Sequence, residues 1–175
     1  MPSALGHAAV GATLGAVFPR SSVPRSLWLT GIVCAVLPDA DSAGYAMGVP
    51  YNSLWGHRGL SHSLLAAAGA YRGLGGRRPS LSAAWGFLFL CTVSHGILDA
   101  LTNGGLGVAF LAPFSNHRYF LPWGPIQVSP LGLYDFFSVE AWPAVRSELL
   151  WIGIPCTILM LGAAVLKLRR RLPTS

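Results

Sequence analysis

Charge is what this sequence lacks. Asp, Glu, Lys and Arg make up 10% of its 175 residues, against about 25% in an ordinary soluble domain. Six residues are acidic, and apolar residues reach 53%. With a mean hydropathy of +0.53, this composition excludes a solvated globular surface and indicates an integral membrane protein. Cysteine is scarce as well. Cys34, Cys91 and Cys156 each sit inside an apolar stretch, with no CxxC spacing. That excludes a disulfide framework or a zinc knuckle and leaves three small buried hydrophobes. No internal repeat and no low-complexity tract is present. No Lys or Arg precedes the apolar residues 4–18, so they lack the positive leader of a secretory signal and are expected to form a retained helix. The net charge of +6 does not indicate nucleic-acid binding, because the basic residues gather at the ends of apolar segments.

Those segments are Ala4 to Phe18, Leu27 to Leu37, Leu64 to Tyr71, Leu81 to Leu101 and Leu149 to Leu166. The fourth has the roughly twenty residues a bilayer asks for, and the first three are shorter. The fifth runs without a charge to the basic cluster that closes a C-terminal span over residues 149–168. Orientation supports a count of five. Arg20 and Arg25 follow the first segment; Arg72, Arg77 and Arg78 follow the third; Lys167 and Arg169 to Arg171 follow the fifth. With five spans, all three clusters fall on one side, which the positive-inside rule assigns to the cytoplasm. The expectation is an all-α, multi-pass transmembrane helical bundle of about five spans, one domain over residues 1–175, with its C-terminus cytoplasmic.

The histidines and acidic residues then fall on the other side. His7 opens the first segment, and Asp39 and Asp41 follow the second, just after Pro38. His57 and His62 precede the third, and His95 and Asp99 lie near the end of the fourth. On one helix an i, i+5 pair diverges by about 140°. His57 and His62 therefore converge most easily if Gly59 turns the backbone and a helix starts near Ser61 as N-cap. His95 and Asp99 are i, i+4 and share a helix face. Ionisable residues beside spans are costly and are functional candidates. Imidazole and carboxylate together suit zinc, with manganese or iron as alternatives, whereas magnesium and calcium prefer oxygen alone. Seven donors exceed one tetrahedral zinc, which leaves either two ions or one ion with supporting residues. Each donor also has a plainer role: His7 as a helix–helix hydrogen bond, the aspartates as helix caps, His95–Asp99 as an oriented imidazole or proton relay.

Taken together, His7 in its Ala/Gly segment, Leu37-Pro38-Asp39-Ala40-Asp41, His57-Arg58-Gly59-Leu60-Ser61-His62-Ser63 and Ser94 to Thr102 resemble the bacterial inner-membrane, metal-dependent hydrolases typified by the LexA-regulated membrane-bound hydrolase. The resemblance covers roughly residues 1–118. It implies a multi-pass helical protein of the bacterial inner (plasma) membrane, a predicted hydrolase activity, and metal-ligand roles for the matching His and Asp residues.

The expected site is therefore a metal centre of His7, Asp39, Asp41, His57, His62, His95 and Asp99 near the extracytoplasmic face, holding one or two divalent ions. The metal would bring the pKa of a water toward neutrality for attack on an ester. Asp41 is a candidate general base, and Arg58 a candidate to stabilise charge on a phosphoryl oxygen; a headgroup contact is the plainer role for that arginine. A phosphoester or ester of a lipid-like small molecule is the expected substrate class, and membrane lipid the expected partner. Region 103–148 holds nine of the nineteen aromatics, between Phe110 and Trp142. Such residues favour the membrane interface, where this region either covers the site or simply anchors the chain. A metal- or proton-handling transporter is the rival class. Its usual two related halves with broken helices are not visible here.

Overall fold

A computed structural model describes residues 1–73, 81–130 and 133–169. The helices are α1 (Ala4–Val17), α2 (Arg25–Val36), α3 (Leu64–Gly73), α4 (Leu81–Ala100), the short α5 (Leu133–Phe136), α6 (Trp142–Glu148) and α7 (Ile154–Arg169). A π-helical turn, Leu149–Gly153, joins α6 to α7. Among the described residues there is no strand, only two isolated bridges, Thr102 with Ile126 and Val108 with Tyr119. Arg77 and Arg78 of the second basic cluster, and Arg170 and Arg171 of the third, lie outside the described residues.

Among the described residues two helical stretches are long and apolar enough to cross a membrane, Ser82–Ala100 and Val139–Arg169, fewer than the expected count of about five spans. The others are shorter: α1 has 14 residues and α2 has 12. At 1.5 Å per residue these reach about 21 and 18 Å, short of a hydrocarbon core of about 30 Å.

α4 packs against α1, α2 and α3, and α1 also packs against α2 and α7. Small residues set these approaches. A Cβ on Gly15 would lie 1.7 Å from the Trp28 ring, and one on Gly31 would lie 2.4 Å from Phe87. Without side chains at these positions the helices come close enough for van der Waals contact to hold them, as bundles in lipid require. The Trp28 indole donates to the Ala12 carbonyl at 2.9 Å. Val23, Cys34, Phe87, Leu88 and Cys91 close the seam of α1, α2 and α4, while Cys156 is buried with Ile126 and Ile152 on the other side of α1. All three cysteines are buried free thiols.

The start of α1 is pinned from the far end of the chain. Ser3, its N-cap, gives both its backbone N–H and its hydroxyl to Glu148, at 2.5 Å each. A carboxylate at a helix N-terminus meets the positive end of the helix dipole. This contact fixes the height of His7, one turn further on.

Candidate metal centre

Three irregular segments and two helices build the site. After α2 the chain tightens into a run of 3-10 turns, Leu37–Met47, with Pro38 at its start. This run carries Asp39 and Asp41 on opposite sides of His62, so the two carboxylates do not converge on one point. His62 lies in a second 3-10 turn, Leu60–His62. The helix expected from Ser61 begins at Leu64, and Ser63 is its cap, with its hydroxyl accepting from the Ala66 N–H at 3.1 Å. Ser61 instead hydrogen-bonds Asp41. The turn expected at Gly59 is also displaced by one residue: the left-handed conformation belongs to Arg58, at φ 61. That conformation costs a non-glycine residue about 1–3 kcal/mol, and here it directs the arginine inward.

The inner group is Asp39, His62, His95 and Asp99, whose ligand atoms all lie within 4.8 Å of one another. Nε2 of His62 is 3.0 Å from Nε2 of His95 and 3.2 Å from Asp99 Oδ2. Nε2 of His95 is 3.3 Å from Asp39 Oδ1. Its other nitrogen, Nδ1, donates to the Ala35 carbonyl at 2.7 Å. A carbonyl only accepts, so the proton of a neutral His95 sits on Nδ1 and leaves Nε2 bare. His62 is held the same way from behind, with Nδ1 at 3.2 Å from Asp41 Oδ2 and 2.9 Å from the Ser61 hydroxyl. The two Nε2 atoms face each other across 3.0 Å, where either a shared proton or a metal ion between them meets both lone pairs.

His7 joins from α1. Its ring stacks on His95 with centroids 3.7 Å apart and planes 15° apart. Its Nε2 is 3.8 Å from Asp99 Oδ1 and 3.9 Å from Asp39 Oδ2. His7 is fully buried, yet neither of its nitrogens has a hydrogen-bond partner, and neither do the two oxygens of Asp39. Orphaned buried polar atoms are costly, and three of the five donor side chains, His7, Asp39 and Asp99, carry them in one place, which fits a bound cation. The charge count agrees, since the cluster holds three carboxylates, Asp39, Asp41 and Asp99, and one guanidinium, which pairs with Asp99.

Asp41 and His57 form an outer layer. Asp41 Oδ1 is 2.7 Å from His57 Nδ1, and Oδ2 faces His62 and Ser61. Burial disfavours a charged His62, but Asp39, Asp41 and Asp99 outweigh it and push its pKa up to about 10. Burial likewise works against ionised Asp39 and Asp41, and their imidazole contacts win, holding both carboxyls well below the usual range. In direct contact, then, the cluster offers more negative charge than its own residues cancel.

Arg58 does not face solvent; it is 1% exposed. Its Nε lies 3.1 Å from Asp99 Oδ2, one terminal nitrogen lies 3.4 Å from Asp99 Oδ1 and 3.2 Å from the Thr102 hydroxyl, and the other donates to the Gly104 carbonyl at 3.0 Å. The group expected to meet a phosphoryl oxygen is thus occupied in gripping a carboxylate of the cluster. Gly105, at φ +88, leaves room for it: a Cβ there would sit 2.8 Å from the guanidinium.

Sequence reading missed four elements of the site. Ala35 acts through a backbone carbonyl, which no side-chain pattern reveals. Thr102 closes the Ser94–Thr102 motif but carries no sign that it would meet an arginine from 44 residues away. Glu148 lies in a stretch given no role. Arg118, one residue beyond the exposed His117, donates to the carbonyls of Tyr51, Ser53 and His57 at 2.9–3.2 Å. It ties region 103–130 to the loop that carries His57. The same region pairs with that loop through Ala109 N–H to Arg58 O and Leu64 N–H to Phe110 O. Region 103–130 therefore packs against the loop that carries His57 and Arg58, while Phe114 (86%) and Trp123 (58%) stay exposed.

The comparisons with known proteins agree with the membrane reading. The chain is 37% identical over 165 residues to the inner membrane protein YbcI of Escherichia coli (strain K12), which covers 91% of this chain and 95% of the relative. No solved structure matches it. The model of the YdjM inner membrane protein family matches residues 1–170, and the chain belongs to that family.

Proposed function

We propose that this protein is a membrane-embedded, metal-dependent hydrolase acting on a phosphoester or ester of a lipid-like substrate. The observation that carries the proposal is the pair of Nε2 atoms of His62 and His95 facing each other at 3.0 Å, with unpartnered Asp39 and His7 atoms beside them. Asp39, His62, His95 and Asp99 would hold the ion, and His7 is placed as a fifth donor. Mixed imidazole and carboxylate favour zinc, with manganese or iron next. When bound, such an ion supplies Lewis acidity that brings a water's pKa toward neutrality.

The other residues have supporting work. Asp41 holds the Nδ1 proton of His62, which fixes the ring and its tautomer, the usual task of a carboxylate behind a ligating histidine. It holds His57 with its second oxygen. The general-base role that the sequence suggests for Asp41 competes with these bonds. Asp39, whose oxygens are free of hydrogen bonds and whose side chain is 10% exposed, is the better-placed base or ligand. Arg58 holds Asp99 in one orientation and offsets part of its charge. In this reading the chain crosses the bacterial inner membrane several times, with the cluster toward the extracytoplasmic face and Arg20, Lys167 and Arg169 toward the cytoplasm. The exposed aromatics of region 103–148 then sit at the interface, where a lipid headgroup approaches Asp39 and Asp41.

Purified protein should carry a stoichiometric transition metal by elemental analysis and should hydrolyse at least one member of a phospholipid and lipid-ester panel. Loss of hydrolysis on chelation, with recovery on zinc or manganese, is the expected pattern. Full metal with no hydrolysis across the panel would favour the transporter class.

A further inference from the structure

The end of the bundle opposite the His/Asp cluster carries a second feature. α1 and α7 pack together, and beside the end of α1 lies a groove of about 670 Å³ lined by Val17, Ile158, Gly162 and Leu166, with Arg20 and Lys167 as its charged lining residues. That volume lies within the range of about 300–1,000 Å³ typical of ligand sites. Its walls are apolar and no acidic residue lines it. Lys167 is fixed there because its ammonium donates to the Ala16 carbonyl, one of the last carbonyls of α1 left without a helical partner. An ammonium has three donors, so others remain for a ligand. Arg20 is exposed and rests on the Trp28 ring, 4.2 Å from its centroid.

We propose that this groove binds one anionic phospholipid, with its phosphate between Arg20 and Lys167 and an acyl chain along the α1–α7 seam. The chain's membership of an inner membrane family puts α7 in lipid, and only 11% of its most apolar window is buried within the protein. An empty apolar groove is not stable in a bilayer, and a chain of methylenes fills it at no cost in polar groups. Charge selects among lipids: two cations and no carboxylate at the rim favour a net negative headgroup over a zwitterionic one. A second copy of this chain in the same orientation is a poorer occupant. Its groove-lining residues bring the same two cations and no acidic side chain to meet them. The site is independent of the hydrolase reading, since none of its residues touches the cluster.

The test uses the full-length protein in a non-ionic detergent, with dioleoylphosphatidylglycerol and dioleoylphosphatidylcholine as probes and native mass spectrometry as the readout. One phosphatidylglycerol should be retained per chain, at least tenfold more tightly than phosphatidylcholine. Arg20→Gln, which leaves the Lys167 contact to α1 intact, should erase most of that preference. Gly162→Leu should weaken both lipids, because a Cβ there meets nothing within 4 Å and the added side chain occupies the groove without straining the fold. Cation content at the His/Asp cluster should stay unchanged in both variants. Equal retention of the two lipids, or unchanged phosphatidylglycerol binding in both variants, would overturn the proposal. So would competition by inorganic phosphate alone at equal concentration, which would assign the rim to a free anion. A dimer that dissociates on Gly162→Leu would give the groove to a second copy and overturn it too.

Discussion

α4 and the C-terminal helix both pass the length and hydropathy test for crossing a membrane, yet they are used in opposite ways. Half of the most apolar window of α4 is buried within the protein, against 11% for the stretch Val139–Arg169. α4 presents Phe87 and Leu88 to the core, and one turn from its end it brings His95 and Asp99, both fully buried, into the cluster. α7 leaves Ile158, Leu161 and Val165 at least half exposed and meets the bundle mainly through α1. Hydropathy measures what a helix can tolerate outside; it does not say what is outside. In α4 the apolar residues surround polar ones that need shielding. In α7 they stay on the outside of the protein.

That contrast can be broken by mutation, and the largest effect should come at the cluster. His95→Ala and His62→Ala should each abolish stoichiometric metal in purified protein, whereas Leu161→Ala on α7 should leave it unchanged. Retained metal in both histidine variants would separate the cluster from cation binding altogether.

The next effect concerns packing. Gly31→Leu pushes a side chain into Phe87 across the α2–α4 seam, and overpacking of this kind costs about 1–3 kcal/mol. Leu161→Ala, at 62% exposure, should change stability by no more than about 0.5 kcal/mol. Thermal unfolding in detergent compares the two directly, and similar shifts would mean that α7 is packed in a way the single chain does not show.

Asp41→Asn should act through His62. An amide keeps the shape but holds the Nδ1 proton less firmly, so affinity for the ion should fall about 10–100-fold. Arg58→Lys should also weaken affinity, because lysine lacks the fork that grips Asp99. An unaltered affinity in both would show that the inner residues hold their geometry unaided.

The smallest effect is a slope. With its pKa pushed up to about 10, His62 carries a proton below that pH in the cation-free protein. Metal binding must displace the proton. Apparent affinity should therefore rise with pH, about tenfold per unit if one proton is exchanged, and level off near pH 10. Calorimetry in buffers of different ionisation enthalpy counts the proton released, and a count of zero would mean that His62 binds no ion.

Much of the site was legible because its residues are expensive. In a chain with so few charges, His7, Asp39, His62, His95 and Asp99 stand out beside apolar segments, and burial of such groups without a purpose costs too much to persist. Their types suit a divalent transition metal. Helix positions were legible for the same reason, since apolar runs bounded by Pro, Gly and Arg leave few alternatives. The sequence alone could not rank the seven donors. Spacing put Asp39 and Asp41 together, but the 3-10 turns after Pro38 set them on two sides of His62, one at Nε2 and one at Nδ1. Nor could spacing tell that Arg58 turns inward to Asp99, because that follows from a left-handed backbone at one residue and a missing side chain at Gly105, 47 positions later. The partners of His95 and Arg118 are backbone carbonyls, which every residue possesses and no pattern marks. Composition determined where this chain lives and what kind of ion its polar residues suit; which atom meets which was left to contacts between distant segments, whose energies depend on geometry that no local pattern encodes.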